Sequence, residues 1–173
     1  MQETVNSEGA VHLAVEGGIA SVTFDRPQAR NAMTWAMYEQ LRAHCERLRE
    51  DRSVRVVRFQ GAGGEAFVAG TDIAQFQDFN GERGVQYETQ IDATMQLLAG
   101  LPMPTVAVVQ GWCIGGGLAI ASTCDFRIAT PGSKFGVPIA RTLGNCLSMK
   151  NYARYMDLIG PSLLLEIIMT ARL

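Results

Sequence analysis

Histidine and cysteine are scarce in this chain, and that scarcity removes whole classes of chemistry. Only His12 and His44 carry imidazoles, and Cys45, Cys113, Cys124 and Cys146 form no Cys-x-x-Cys pair. A zinc site draws on clustered ligands of these types, so no metal is expected. Free, mostly buried thiols in a reducing compartment are the plain reading of the cysteines. Long apolar runs are missing too. Nothing approaches the roughly 20 residues that span a bilayer, so no membrane partner is expected. Met1 to Ala10 has neither an apolar core segment nor an Arg-rich amphipathic pattern, and it does not read as a signal or transit peptide. The net charge is −2, with no basic stripe, which disfavours nucleic acid. There is no GxxxxGK[ST] and no GxGxxG, which disfavours a nucleotide loop. A cytoplasmic protein with a small-molecule ligand is the expectation.

What remains is a chain of 173 residues, 47% of them hydrophobic, enough for one domain spanning 1–173 with a real core. Apolar runs at Val11–Val15 and Ile19–Phe24, split by Glu16-Gly17-Gly18, predict a β-hairpin. Trp35, Tyr38, Leu41, Cys45 and Leu48 recur at helical spacing and predict a helix over Thr34–Glu50. Val54–Gln60 reads as a strand and Phe67–Ala69 as a short one. A second helix is expected over Gly84–Leu98. Thr105–Val109 is a β-branched run suited to a fully buried strand. Leu118–Thr123 reads as an apolar helix, Asp125–Ala129 as a strand and Lys134–Val137 as a short strand. Two helical stretches, Leu147–Leu158 and Ser162–Ala171, are separated by Gly160-Pro161, with Pro161 placed to start the second. Strands alternating with helices make the class α/β. The chain stops inside an apolar stretch at Thr170-Ala171-Arg172-Leu173, which suggests that a C-terminal part is truncated.

Two segments carry the candidate chemistry. One is Ala66-Phe67-Val68-Ala69-Gly70-Thr71-Asp72. The other is Gly111-Trp112-Cys113-Ile114-Gly115-Gly116-Gly117, running into a helix. Glycine at such junctions allows a close approach by a ligand. Three glycines before a helix leave its first N–H groups unshielded, and these, with the helix dipole, favour negative charge. Ordinary tight turns would explain the glycines equally well. An oxyanion hole is the functional alternative, in which each backbone donor contributes roughly 3 kcal/mol in the transition state.

Together, Asp25-Arg26-Pro27 with Asn31-Ala32, then Ala66-Phe67-x-Ala69-Gly70-x-Asp72, then Gly111-Trp112-x-x-Gly115-Gly116-Gly117 with Cys124-Asp125 resemble the enoyl-CoA hydratase/isomerase (crotonase) family, over about Val11 to Leu173. The resemblance implies a crotonase-like spiral of ββα units and a C-terminal helical region that builds homotrimers, often paired into hexamers. It implies that the N–H groups of Thr71 and Gly116 are the oxyanion donors. It also implies that Gln28, Val68, Ala69, Thr71 and Ile73 lie where coenzyme A is held. Coenzyme A enters as part of the acyl-CoA substrate, and no further cofactor is implied. Asp72 reads as a loop-holding residue.

The same resemblance exposes a departure. Family hydratases place two glutamates around one water. Their positions fall on Ala119 and on Ile139, the latter in Phe135-Gly136-Val137-Pro138-Ile139. Neither side chain moves a proton, and general acid–base help of that kind is worth about 10²- to 10⁴-fold. Isomerase, decarboxylase or hydrolase chemistry is therefore expected rather than standard hydration, and a catalytically inactive acyl-CoA-binding protein is a further alternative. Replacement groups are few. Arg141 and Asn145 lie on the altered loop after Ile139, and Arg141 suits a substrate carboxylate. Tyr87, Glu88 and Gln90 fall on the helix that lines the acyl pocket in the family, with a solvated face as their default reading. Trp112 reads as packing, and His12 and His44 as plain strand and helix-face residues. Gly111-x-Cys113-x-Gly115 mimics a nucleophile elbow, so a Cys113-dependent hydrolase is the rival from another class, and it requires a histidine base.

Overall fold

A computed structural model describes residues 8–76, 80–142, 144 and 146–173. An antiparallel hairpin opens the chain: β1 (Ala10–Glu16) pairs with β2 (Ile19–Asp25) across a Gly17-Gly18 turn. A 3-10 turn, Pro27–Ala29, leads to α1 (Trp35–Glu50), whose first turn is capped by the Thr34 side chain accepting from Met37 N–H. Then come β3 (Val56–Gly61), β4 (Ala66–Ala69), a 3-10 turn at Ile73–Phe76, and α2 (Gly81–Ala99). β5 (Thr105–Val109), β6 (Trp112–Ile114) and α3 (Gly116–Thr123) form the next unit. β7 (Phe126–Ala129), β8 (Lys134–Gly136) and the short α4 (Ile139–Thr142) follow, and α5 (Met149–Thr170) ends the described chain.

After the hairpin, each strand pair (β3 and β4, β5 and β6, β7 and β8) sends one strand to each of two sheets. β1-β2-β3-β5-β7 form the larger sheet, parallel beyond the hairpin, and β4-β6-β8 form a smaller parallel sheet. A helix follows each strand of the smaller sheet. This is the spiral of ββα units that the crotonase fold consists of. Apolar side chains from both sheets and from α1, α2 and α3 share one core, in which Phe24, Phe59, Phe67, Met33, Met37 and Leu41 are fully buried. Phe24 meets Phe67 edge-on at 5.5 Å, joining the sheets.

Most boundaries agree with the sequence reading to within a few residues. α2 begins at Gly81, three residues before the expected Gly84, because Asn80 caps it by accepting from Arg83 N–H. The two C-terminal stretches meet at a kink at Gly160 (φ 75°), and Pro161 opens the second, where its missing N–H costs little. Among the described residues no helix is long and apolar enough to cross a membrane.

One buried residue locks the loop between β2 and α1 to the loop before β4. Asn31 holds a left-handed conformation (φ 56°). It accepts from Arg26 N–H at 2.8 Å and donates to the carbonyls of Ala62 and Ala66 at 2.9 and 2.8 Å. Replacing it removes the side-chain partner of three backbone groups, the Ala66 carbonyl at a fully buried contact and the other two at part-buried ones. Asn31→Ala is expected to lower stability by about 3 kcal/mol or more, read by chemical denaturation. A loss within experimental scatter of wild type would show that Asn31 is not the clamp.

Candidate active site

The Asn31 clamp sets up the first loop. Ala69 N–H donates to Arg30 C=O at 3.0 Å, Met33 N–H to Gly70 C=O at 2.9 Å, and Asp72 N–H to Met33 C=O at 2.9 Å. The peptides here are trans. In a trans peptide the C=O and the following N–H point in opposite directions. Because the Gly70 carbonyl faces Met33, the Thr71 N–H faces away from it. The Arg26 guanidinium pairs with the Asp72 carboxylate at 2.8 Å, both half-buried, and pins the end of the loop. Asp72 is thus structural, as expected.

The second loop repeats this logic. Gly115 N–H donates to Gly136 C=O of β8, and the Gly115 carbonyl accepts from Ala119 N–H inside α3. The Gly116 N–H therefore points out of the start of α3, against the direction of the helix carbonyls. Gly115 has φ 52° and ψ −112°, which a residue with a Cβ rarely adopts. Among the described residues neither the Thr71 N–H nor the Gly116 N–H has a hydrogen-bond partner. The two peptide units are neighbours: a Cβ placed on Gly116 would lie 3.8 Å from the Gly70 carbonyl carbon, and one on Gly115 3.7 Å from Gly70 Cα.

Under this pair lies a cluster of hydroxyls that the sequence reading missed. The Thr71 hydroxyl bonds the Tyr38 hydroxyl at 2.9 Å and the Tyr87 hydroxyl at 3.1 Å. A Cβ on Gly116 would sit only 2.5 Å from Tyr38 Oη and 3.3 Å from Thr71 Oγ1. Burial, then the neighbouring Tyr87, pushes the Tyr38 phenol well above its usual range, and burial raises Tyr87 as well. Tyr38 appears in the sequence as one more apolar-face residue of α1, and Tyr87 as part of a solvated face. The solvated reading of Tyr87 is corrected: its ring packs edge-on against Trp35 at 4.8 Å and its hydroxyl turns inward. Glu88 is half-buried, and burial, then the nearby Asp92, raises its carboxyl. Gln90 is exposed.

The other expected positions divide clearly. Ala119 is buried in α3, and Ile139 packs at the start of α4 against Val137, Tyr155 and Leu164. The Tyr155 hydroxyl is buried there without a hydrogen-bond partner among the described residues, although Ser122 is close enough to influence it. Arg141 is exposed on α4, while Asn145 lies outside the described residues. Gln28 and Ile73 are exposed on the two 3-10 turns, Ala69 is half-buried and Val68 is fully buried, backbone and side chain alike. Trp112 does more than pack: the Arg30 guanidinium lies 5.3 Å and the Lys134 ammonium 4.7 Å from its ring centre. A solvent-open groove of about 440 Å³, lined by Arg42, Glu46, Arg49, Ala93, Gln96, Leu97 and Gly100, shares no residue with the two loops.

The cysteine-hydrolase alternative is corrected. Cys113 is fully buried in β6, and burial raises its thiol, the opposite of what a nucleophile needs. Neither histidine serves it. His12 pairs with Asp25 at 3.1 Å on the surface, and His44 bonds the Val11 carbonyl at 2.8 Å. None of the four cysteines is in a disulfide, and Cys45, Cys113 and Cys124 are buried while Cys146 is exposed.

The comparison with known proteins points the same way as the loops. Residues 14–173 match the family model described as enoyl-CoA hydratase/isomerase. The chain is 33% identical over 162 residues to a short-chain-enoyl-CoA hydratase of Clostridium acetobutylicum, covering 94% of this chain and 62% of that protein. It is 30% identical over 159 residues to a crotonyl-CoA hydratase of Syntrophomonas wolfei, covering 92% of this chain and 61% of that one. The crystal structure of an enoyl-CoA hydratase/carnithine racemase from Magnetospirillum magneticum superposes with a TM-score of 0.89 at 35% identity, over 94% of this chain and 61% of that one. The chain thus spans less than two thirds of these relatives.

The contact at Gly116 yields a prediction. Gly116→Ala is expected to destabilise the fold by about 1–3 kcal/mol, because the new methyl strikes Tyr38 Oη. Tyr38→Phe in the same chain should restore part of that loss in thermal unfolding. No restoration would mean that another contact excludes the methyl.

Proposed function

This chain belongs to the enoyl-CoA hydratase/isomerase family, and on that premise we propose that it binds an acyl-CoA thioester and stabilises its enolate without the two-glutamate hydration route. The observation that carries the reading is the pair of neighbouring peptides, Gly70–Thr71 and Gly115–Gly116. Their N–H groups have no partner among the described residues, and their carbonyls are engaged elsewhere. Preorganised donors of this kind act on a thioester oxygen as it becomes negative, and they need no reorganisation when it does. The dipole of α3 adds to the attraction. Gln28, Ala69, Thr71 and Ile73 would line the path of coenzyme A, which is carried by the substrate, with no separate cofactor.

The side chains at the glutamate positions, Ala119 and Ile139, are apolar and packed. Reactions that need no carboxylate base fit such a site. Decarboxylation of a malonyl-type thioester fits first, since loss of CO₂ forms the enolate directly. Isomerisation fits with a base from elsewhere, and thioester hydrolysis with a differently placed water. Arg141, exposed one turn beyond Pro138, is the group we assign to a substrate carboxylate. We further propose a cytoplasmic homotrimer or dimer of trimers. Phe126 and Ile128 of β7, with Leu165 and Met169 of α5, are each more than half exposed and offer apolar surface for such contacts.

Turnover assays test this. Crotonyl-CoA should be hydrated no faster than about one hundredth of the rate of a two-glutamate relative. A malonyl-type thioester should be decarboxylated, with Arg141→Ala raising KM for that substrate and not for crotonyl-CoA. Rapid hydration of crotonyl-CoA would overturn the assignment of Ala119 and Ile139. Tight binding of thioesters without turnover of any would make the protein an acyl-CoA binder.

A further inference from the structure

An enolate formed without a glutamate still needs a proton at its α-carbon. The groups around the amide pair narrow the choice of donor. Tyr38 is buried in the core, with its hydroxyl against Gly116. The Tyr155 hydroxyl is enclosed with Val137 and Leu164. Glu88 lies beside Asp92, which pairs with Lys150 at 3.0 Å, on the side of α2 that faces α5. Arg141 is exposed on α4. Tyr87 differs from all of these. It is only half-buried, and its hydroxyl touches the side chain of Thr71, whose own N–H is one of the two oxyanion donors. The α-carbon lies two bonds from a thioester oxygen held by that N–H, and Tyr87 is the half-buried hydroxyl bonded to the same residue.

We propose that Tyr87 is the acid that protonates the enolate at its α-carbon, with the hydroxyls of Thr71 and Tyr38 holding the phenolate that results. This role rests on the thioester reading above. In the step, the enolate π pair forms the new C–H bond with the phenolic hydrogen. The O–H pair stays on Tyr87 Oη, and the negative charge passes from the thioester oxygen to the phenolate. The Thr71 hydroxyl donates to that phenolate across the 3.1 Å contact while accepting from the Tyr38 hydroxyl across the 2.9 Å contact. Water then returns a proton to Tyr87. Burial supports the assignment by keeping the phenol protonated at neutral pH until an enolate is present.

The test compares wild type with Tyr87→Phe in heavy water, on whichever thioester the wild type converts, starting with methylmalonyl-CoA. Phenylalanine keeps the packing against Trp35 and gives up only the hydroxyl contact with Thr71, so the variant should fold and melt slightly below wild type. The expected result is a fall in kcat of about 100-fold with KM unchanged. The deuterium of the product should also lose its single configuration, because water then delivers it to either face. Tyr38→Phe should lower kcat less and keep the configuration. A Tyr87→Phe variant that retains kcat and configuration overturns the role of Tyr87 and leaves the thioester reading standing. So does one that only melts earlier. A wild type inert toward every thioester removes the reading itself, and the role of Tyr87 with it.

Discussion

The hydrogen bond from Met33 N–H to the Gly70 carbonyl, 2.9 Å long, orients the peptide on which the candidate site depends. Peptide planarity turns that bond into a direction for the Thr71 amide, since the N–H must point opposite to the carbonyl. The bond is held in place by the clamp beneath it. Asn31 ties the segment before α1 to Ala62 and Ala66, and Arg26 reaches Asp72 on the far side of Gly70. A residue at φ 56°, buried and bonded three times, is costly to form and hard to move. The motifs Asp25-Arg26-Pro27, Asn31-Ala32 and Ala66 to Asp72, far apart in sequence, are parts of one scaffold that aims a single N–H.

The second amide is aimed differently, by the start of a helix rather than by a clamp. Its neighbour Gly115 turns the chain from β6 into α3, and β8 receives the Gly115 N–H. The spiral of ββα units explains why these loops meet. β4 and β6 are adjacent parallel strands of the smaller sheet, so the bends that follow them emerge side by side at the same edge. The candidate site lies there because two neighbouring strands end there.

Several features were legible from residue order alone. Alternating apolar runs and helical spacing placed nearly every element, because hydrophobic period and secondary structure share one geometric cause. The Gly160-Pro161 break and the structural part of Asp72 were legible for similar local reasons. Tyr87 was not. On a helical wheel it falls beside Glu88 and Gln90, and only the packing of α2 against Trp35 and Thr71 turns it inward. Cys113 failed in the opposite sense. Its Gly-x-Cys-x-Gly setting resembles an exposed elbow, whereas β6 is the central strand of the smaller sheet and directs the thiol into the core. Trp112, read as packing, also meets two cations that come from segments distant in the chain.

Sequence alone determined the fold class, the two glycine-rich bends, and the apolar side chains at 119 and 139. These depend on local backbone preference and on which side chains are present at all. Tertiary structure decided the relation between the bends, the direction of each amide, and the gathering of Tyr38, Thr71 and Tyr87 around Gly116. The physical reason is that a hydrogen bond between residues 33 positions apart, as between Tyr38 and Thr71, is set by how helix and sheet pack. No pattern of neighbouring residues encodes that distance.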